Sequence, residues 1–63
     1  MTGKQVLKIL KMNGWKLDRI SGSHHIMVKD GRRSVPVPLH GAEDMGVLAQ
    51  RIFREAGIEL DGE

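Results

Sequence analysis

The chain has no cysteine and no tyrosine, and its only aromatic residues are Trp15 and Phe53. Because cysteine is absent, the sequence excludes disulfide bonds, Cys-ligated zinc and a thiol nucleophile. Two aromatic side chains are too few for a base-stacking platform on single-stranded nucleic acid, so both are expected in the core. No apolar run approaches the roughly 18 residues of a membrane span, and the N-terminus does not have the pattern of a signal peptide. These absences predict a soluble, cytoplasmic protein.

The length of 63 residues predicts one domain, 1–63, near the lower size limit for a single hydrophobic core. The net charge of +2 is unevenly distributed, because residues 1–40 sum to +6 and residues 41–63 to −4. A basic first part of the chain favours a polyanionic partner, most commonly nucleic acid. Charge alone is equally consistent with a solubilising surface. We also expect a partner or self-association to add stability.

The N-terminal segment has the periodicity of an amphipathic helix. Apolar residues follow helical spacing on one side, and lysines occupy the other. Thr2 suits the N-cap position, and Asn13-Gly14 suits the helix end. The pattern predicts a helix over about Gly3–Met12.

The C-terminal segment is helical by the same criterion. Asp44 is the candidate N-cap, and Gly57 is the expected stop. Ile58 and Leu60 are expected to fold back over the helix end. The predicted apolar stripe consists of Leu48, Ala49, Ile52, Phe53 and Ala56.

Three short segments between these helices have the composition of β-strands. They cover Trp15–Arg19, His24–Lys29 and Arg33–Leu39, and turns at Ser21–Ser23 and Asp30–Gly31 separate them. In the first strand, alternation would put Trp15, Leu17 and Arg19 on one face, and Lys16 and Asp18 on the other.

Two prolines in the third strand restrict how it pairs with the second. Proline has no N–H, so Pro36 and Pro38 suit positions that point away from the hairpin. A two-residue Asp30-Gly31 loop would make Pro36 a hydrogen-bonded partner of His25. A four-residue loop over Lys29–Arg32 turns both prolines outward. We prefer the longer loop, which makes the third strand a protected edge of the sheet.

This pairing assigns the second strand's side chains to two faces. The core face would hold His24, Ile26 and Val28 opposite Val37, Val35 and Arg33, and the open face would hold His25, Met27 and Lys29 with Ser34 and Pro36. The expected fold class is α+β: an α-β-β-β-α order with a three-stranded antiparallel sheet and two helices on one face. That is the outline of a double-stranded-RNA-binding-like domain, which does not by itself give a function.

Two adjacent histidines, His24 and His25, are the residues best suited to chemistry. Consecutive strand residues leave on opposite faces and cannot share one metal ion, so we expect no metal site. A histidine exchanges protons near neutral pH, and RNA cleavage by acid–base catalysis needs little more than that and nearby cations. Lys29, Arg32 and Arg33 lie on the same hairpin as candidate phosphate-binding residues. The alternatives are a half-buried histidine bonded to a backbone carbonyl and a solvated hairpin tip.

Four motifs follow one another over nearly the whole chain. A short helix runs into NGW, GSHHIM opens the second strand, DGRRSVPVPLH forms the hairpin arm and MGVLAQRIFREAGI forms the last helix. The most specific parts are GSH, VPVPxH and the final spacing Gly-x-Leu-x-x-x-Ile-x-x-x-Ala-Gly-Ile. In this order and at this length, the motifs resemble those of the HicA family of bacterial toxins.

The resemblance implies the toxin of a type II toxin–antitoxin system with a double-stranded-RNA-binding-like fold. Such a protein is a metal-independent endoribonuclease that needs no cofactor and cleaves single-stranded messenger RNA. A HicB-type antitoxin is the implied partner, and oligomers are expected through that complex.

The resemblance also assigns roles to residues of this chain. The family's essential histidine follows the Gly-Ser pair, which places the catalytic residue at His24. His25 remains its rival because the histidine is doubled here. The expected RNA-binding residues are His25, Lys29, Arg32 and Arg33. His40 matches a histidine of the VPxH segment, with a role in loop geometry or as an auxiliary proton donor.

The chain departs from the family at the start of its last helix. Met45-Gly46-Val47 stands where the family usually has lysine and Gly-Thr. Without that lysine and hydroxyl, a phosphate site at the helix N-terminus is weakened. Two non-enzymatic alternatives remain: a non-catalytic RNA-binding module of the same fold, and a domain that binds only proteins.

Overall fold

The computed structural model describes residues 1–39 and 44–58, and its elements follow the order α-β-β-β-α. Helices α1 and α2 span Gly3–Met12 and Val47–Ala56, and strands β1, β2 and β3 span Lys16–Ser21, His24–Val28 and Val35–Pro38. The strands form an antiparallel sheet in the order β1-β2-β3. The predicted α+β, double-stranded-RNA-binding-like fold is therefore confirmed. Neither α1 nor α2 is long and apolar enough to cross a membrane.

Helix α1 has the predicted ends because short-range hydrogen bonds fix them. The Oγ1 atom of Thr2 accepts from the backbone N–H of Gln5 at 3.3 Å, and Gln5 Oε1 accepts from the N–H of Thr2 at 2.8 Å. This reciprocal capping box satisfies two N–H groups that the helix leaves unpaired. At the other end, Asn13 is the C-cap, and its N–H donates back to Leu10 O at 3.0 Å.

The start of α2 differs from the prediction that Asp44 caps it. The N-cap is Gly46, with φ at 58° and no side-chain cap hydrogen bond. Asp44 instead accepts a hydrogen bond from the Met1 ammonium, and its backbone bridges to Thr2. That hydrogen bond and the positive charge lower the pKa of the Asp44 carboxyl. A hydrogen bond from the backbone N–H of Gly46 also lowers this pKa, so the carboxylate interacts with the N-cap residue of α2 without being the N-cap itself.

The end of α2 matches the prediction. Gly57 adopts the left-handed conformation with φ at 73°, which an L side chain disfavours. The N–H of Ile58 then donates to Phe53 O at 2.8 Å, closing a Schellman motif. Ile58 packs against the core, as expected. Leu60, the other residue predicted to fold back, lies outside the described residues.

The core lies between the helices and one face of β2 and β3. Its buried side chains in the described part of the chain are Val6, Leu10, Trp15, Met27, Val35, Val37, Ala49, Ile52, Phe53 and Ala56. Both aromatic residues are thus buried, as predicted. Trp15 lies just before β1 rather than within it, so the predicted Trp15–Arg19 strand is wrong in its ends. All six residues of β1 are exposed, including Leu17 and Ile20, at 43% and 57%.

The pairing of β2 with β3 differs from the prediction by one residue. His24 pairs with Pro38 rather than Val37, and Met27 pairs with Val35. The third strand is also shorter than the predicted Arg33–Leu39, because pairing begins at Val35. A one-residue shift moves every side chain of a strand to the opposite face relative to its partners.

Pro36 and Pro38 nevertheless point outward in this register, as predicted. The N–H of Leu39 donates to Ser23 O at 2.8 Å, which makes those two residues a hydrogen-bonding pair. Because the pairs alternate along an antiparallel ladder, Pro36 and Pro38 occupy positions whose N atoms point away from β2. β3 is an edge of the sheet, as predicted.

The predicted faces of β2 are therefore reversed. Met27 is fully buried with Val35 and Val37 on the face that the helices cover. His25 pairs with Val37 and shares that face, whereas His24 and Ile26 pair with Pro38 and Pro36 on the other. The prediction that His24 faces the helices and His25 faces solvent is wrong, because its register was one residue out.

Candidate functional site

The face of the sheet turned away from the helices, hereafter the open face, carries both apolar and polar side chains. Directly paired residues share a face, so the strand register defines its membership. It is formed by Lys16, Arg19 and Ser21 of β1, His24, Ile26 and Val28 of β2, and Pro36 and Pro38 of β3. The arrangement places a polar row on β1 beside a mostly apolar centre, with His24 at one end.

His24 begins β2 and is exposed. It lies between Ser21 on one side and Pro38 on the other. Cross-strand neighbours have Cβ atoms about 4.5–5.5 Å apart, so Ser21 and Pro38 flank His24 on this face. An exposed imidazole on an accessible face can exchange a proton directly with a bound ligand.

His25 has a different environment although it is the next residue. It is half-buried on the helix-covered face, between Ile20 and Val37. Its Nδ1 atom is buried and finds no hydrogen-bond partner among residues 1–39 and 44–58. Apolar neighbours and restricted access make His25 the poorer of the two histidines for exchanging protons with an RNA strand.

The tip of the β2–β3 hairpin is a tight turn. The N–H of Arg32 donates to Lys29 O at 3.0 Å, and Gly31 takes a φ of 78°. The turn predicted at Asp30-Gly31 is thus confirmed, but the preferred four-residue loop over Lys29–Arg32 is wrong, because pairing begins only at Met27 and Val35. Lys29, Arg32 and Arg33 are all exposed around it.

Two cations of the hairpin tip contact the ends of helices. The Nζ atom of Lys29 donates to Asn13 O, the C-cap residue of α1, at 2.8 Å. The guanidinium of Arg32 lies so close to Gly57, the C-cap of α2, that a Cβ there would be 2.6 Å from its Nη atoms. Helix C-termini carry partial negative charge, so both contacts are electrostatically favourable.

The structure does not bring these cations beside His24. His24 and Lys29 are separated by the length of β2, which at about 3.3 Å per residue places them roughly 17 Å apart. The predicted grouping of one catalytic histidine with three hairpin cations therefore spans the whole strand. RNA binding by Lys29, Arg32 and Arg33 stays a prediction, at a distance from His24, and RNA binding by His25 stays a prediction for a half-buried residue on the other face.

The cations nearest to His24 on its own face are in β1, and the sequence pattern missed them. Regular alternation puts Lys16 and Arg19 on opposite faces, but the register shifts between Leu17 and Arg19. Lys16 pairs with Val28 and Arg19 with Ile26, so both reach the open face. A β-bulge has no reliable signal in a single sequence, which is why strict alternation failed here.

No described group of three histidine, aspartate or glutamate residues is arranged to hold a metal ion. The two adjacent histidines leave the strand on opposite faces, as the sequence predicted. His40, with its predicted role in loop geometry or proton donation, lies outside the described residues.

Comparison with known proteins gives a family for this chain. The model of a protein family described as "HicA toxin of bacterial toxin-antitoxin" matches residues 3–58. The match covers every helix and strand described above. No match was found among curated proteins.

Proposed function

This chain belongs to the HicA toxin family of bacterial toxin–antitoxin systems, and on that premise we propose that it is a metal-independent ribonuclease that cleaves messenger RNA. Membership makes it a toxin with an antitoxin partner. The finer assignments are proposals: RNA as substrate, the cytoplasm as compartment, and a HicB-type protein as the antitoxin.

One observation supports the proposal above others: His24 is an exposed histidine on the open face of a sheet that also carries cations. Histidine is the side chain best suited to accept and return a proton near neutral pH. An exposed ring can approach a ribose directly. His25, half-buried between Ile20 and Val37, has no comparable access.

The proposed reaction needs no group from outside the RNA and the protein. His24 takes the proton of a ribose 2′-hydroxyl, and that oxygen forms a bond to the adjacent phosphorus. The bond from phosphorus to the 5′-oxygen of the next nucleotide breaks, and the leaving oxygen takes up the proton that His24 accepted, which returns His24 to its neutral form. The products are a 2′,3′-cyclic phosphate and a 5′-hydroxyl. Positive charge nearby stabilises the phosphorane-like transition state.

The test is cleavage of a 5′-labelled single-stranded RNA by the purified chain in the presence of EDTA. The wild-type chain is expected to produce fragments with 2′,3′-cyclic phosphate ends. His24→Ala is expected to slow cleavage about 10²- to 10⁴-fold, the range for losing a general acid–base group. His25→Ala is the comparison variant for the rival histidine, with the same substitution one residue away on the other face, and it is expected to slow cleavage less than His24→Ala.

The outcomes separate the candidate roles. Loss of cleavage in His25→Ala with full activity in His24→Ala would move the assignment to His25. Equal activity in all three proteins would refute histidine catalysis. Intact RNA that is nevertheless bound, with affinity falling steeply with salt, would favour the non-catalytic RNA-binding module.

A further inference from the structure

The register of β1 shifts at Asp18. Leu17 pairs with Met27 and Arg19 pairs with Ile26, so Asp18 is an extra residue on the β1 side of the ladder. An extra residue reverses the alternation of faces beyond it. Lys16 and Arg19, three residues apart, therefore both leave β1 on the open face that also carries His24.

Arg19 is a diagonal neighbour of His24. It pairs with Ile26, and His24 lies two residues from Ile26 on the same face of β2. Diagonal neighbours across an antiparallel pair are about 7–8 Å apart, which is within reach of a long side chain. The Arg19 side chain is 66% exposed. Lys16 lies further along the same row, opposite Val28.

The Arg19 guanidinium is oriented by one contact and keeps others free. Its Nη1 atom donates to Asp18 Oδ2 at 2.6 Å. A guanidinium has five N–H donors, so one can bind Asp18 while others bind a phosphate. Arginine and phosphate pair in a planar, two-bond geometry that lysine does not reproduce.

We propose that Arg19 binds the scissile phosphate of an RNA strand at His24, and that Lys16 binds a neighbouring phosphate along β1. The inference rests on the proposed function, which it deepens by naming the binding face. The ligand is the phosphodiester backbone of single-stranded RNA lying along β1 and β2. The less polar parts of the RNA cover Ile26, Val28 and Pro36, the apolar side chains beside the polar row of β1 on this face.

The test compares Arg19→Ala with Arg51→Ala, which removes the same charge from an exposed position on α2. Cleavage is measured with labelled RNA. Binding is measured separately with a fluorescent 2′-O-methyl RNA, which lacks the attacking hydroxyl. Arg19→Ala is expected to weaken both about 10- to 100-fold, the range for a charge-assisted hydrogen-bonded contact. Arg51→Ala is expected to stay within about twofold.

Two further readouts separate phosphate binding from a structural effect. Arg19→Lys is expected to recover only part of the loss, because it keeps the charge and loses the two-bond geometry. The slope of log affinity against log salt is expected to fall by about one in Arg19→Ala. Circular dichroism checks that each variant folds, and the exposure of Arg19 predicts that it does.

The inference and the proposed function fail in different ways. If His24→Ala is inactive while Arg19→Ala cleaves and binds like Arg51→Ala, the Arg19 site is refuted and the ribonuclease stands. If the wild-type chain leaves RNA intact, the proposed function fails, and the binding comparison of Arg19→Ala with Arg51→Ala decides the Arg19 site. Absence of any binding by the wild-type chain overturns both.

Discussion

The hairpin tip and β1 each present cations, but in different surroundings. Lys29 and Arg32 at the tip contact the C-terminal ends of α1 and α2. Lys16 and Arg19 on β1 project from the open face, where Arg19 bonds only to the adjacent Asp18 among the described residues. The first pair complements partial charges that belong to the fold, and the second pair faces solvent on the face that carries His24, with Arg19 the nearer of the two to it. Proximity to the histidine motif along the sequence therefore does not identify the cations that share a face with His24.

The largest expected effect on stability concerns the contact of Arg32 with Gly57. In Gly57→Ala, a methyl group enters a left-handed backbone position and also displaces the Arg32 guanidinium, 2.6 Å from the new Cβ. We expect a loss of about 1.5 kcal/mol in the free energy of unfolding, of which about 1 kcal/mol is the backbone term, because the end of the exposed Arg32 side chain can move aside at little cost. The measurement is urea unfolding followed by circular dichroism.

Gly31→Ala is the matched control for that experiment. Its φ of 78° is close to the 73° of Gly57, but no atom of the described residues lies within 4 Å of the added Cβ. We expect it to lose only the backbone term, about 1 kcal/mol. Equal losses in the two variants would show that Arg32 contributes nothing at the end of α2.

The sequence predicted the features that depend on neighbouring residues. The α1 boundaries followed from Thr2 and Asn13, and the α2 end followed from Gly57, because caps act over three or four residues. The edge position of β3 followed from its two prolines, because a residue without an N–H cannot pair with a further strand. Asp44 is the exception, since its partner is Met1, which is distant in sequence.

The register of β2 could not be predicted because its side chains do not distinguish the faces. Ile26 and Val28 are apolar on one face, and Met27 is apolar on the other. Either face of such a strand can meet the helices, so the hydrophobic pattern leaves a one-residue ambiguity. The bulge at Asp18 adds a second one-residue ambiguity, in β1. These two shifts decide which histidine and which cations share the open face.

A smaller effect on stability is expected from removing the ammonium group of Lys29 or of Lys16. Lys29→Met keeps the aliphatic stem and removes the hydrogen bond to Asn13 O, so we expect a loss of about 0.5–1.5 kcal/mol in the free energy of unfolding. Lys16→Met, on the exposed strand β1, is expected to change it by less than about 0.5 kcal/mol.

RNA binding by the same two variants tests whether the hairpin tip and β1 differ in function as well as in stability. Affinity for 2′-O-methyl RNA is expected to fall more in Lys16→Met than in Lys29→Met, which is the reverse of the order for stability. If Lys29→Met loses more affinity than Lys16→Met without losing stability, the hairpin tip is the main phosphate-binding region and the distinction fails.

The smallest expected effect tests the one carboxylate on β1. Asp18 holds Arg19 through an exposed ion pair, with side-chain exposures of 45% and 66%, and such pairs contribute about 0–1 kcal/mol to stability. Asp18→Asn removes a negative charge from beside the proposed phosphate site while keeping the size of the side chain. We expect affinity for 2′-O-methyl RNA to rise about two- to fivefold at low salt, and the gain to vanish at high salt because the charges are exposed. Glu55→Gln, on α2, is the control and is expected to change affinity by less. A fall in affinity in Asp18→Asn would mean that the carboxylate's main role is to orient Arg19 toward the phosphate rather than to compete with it.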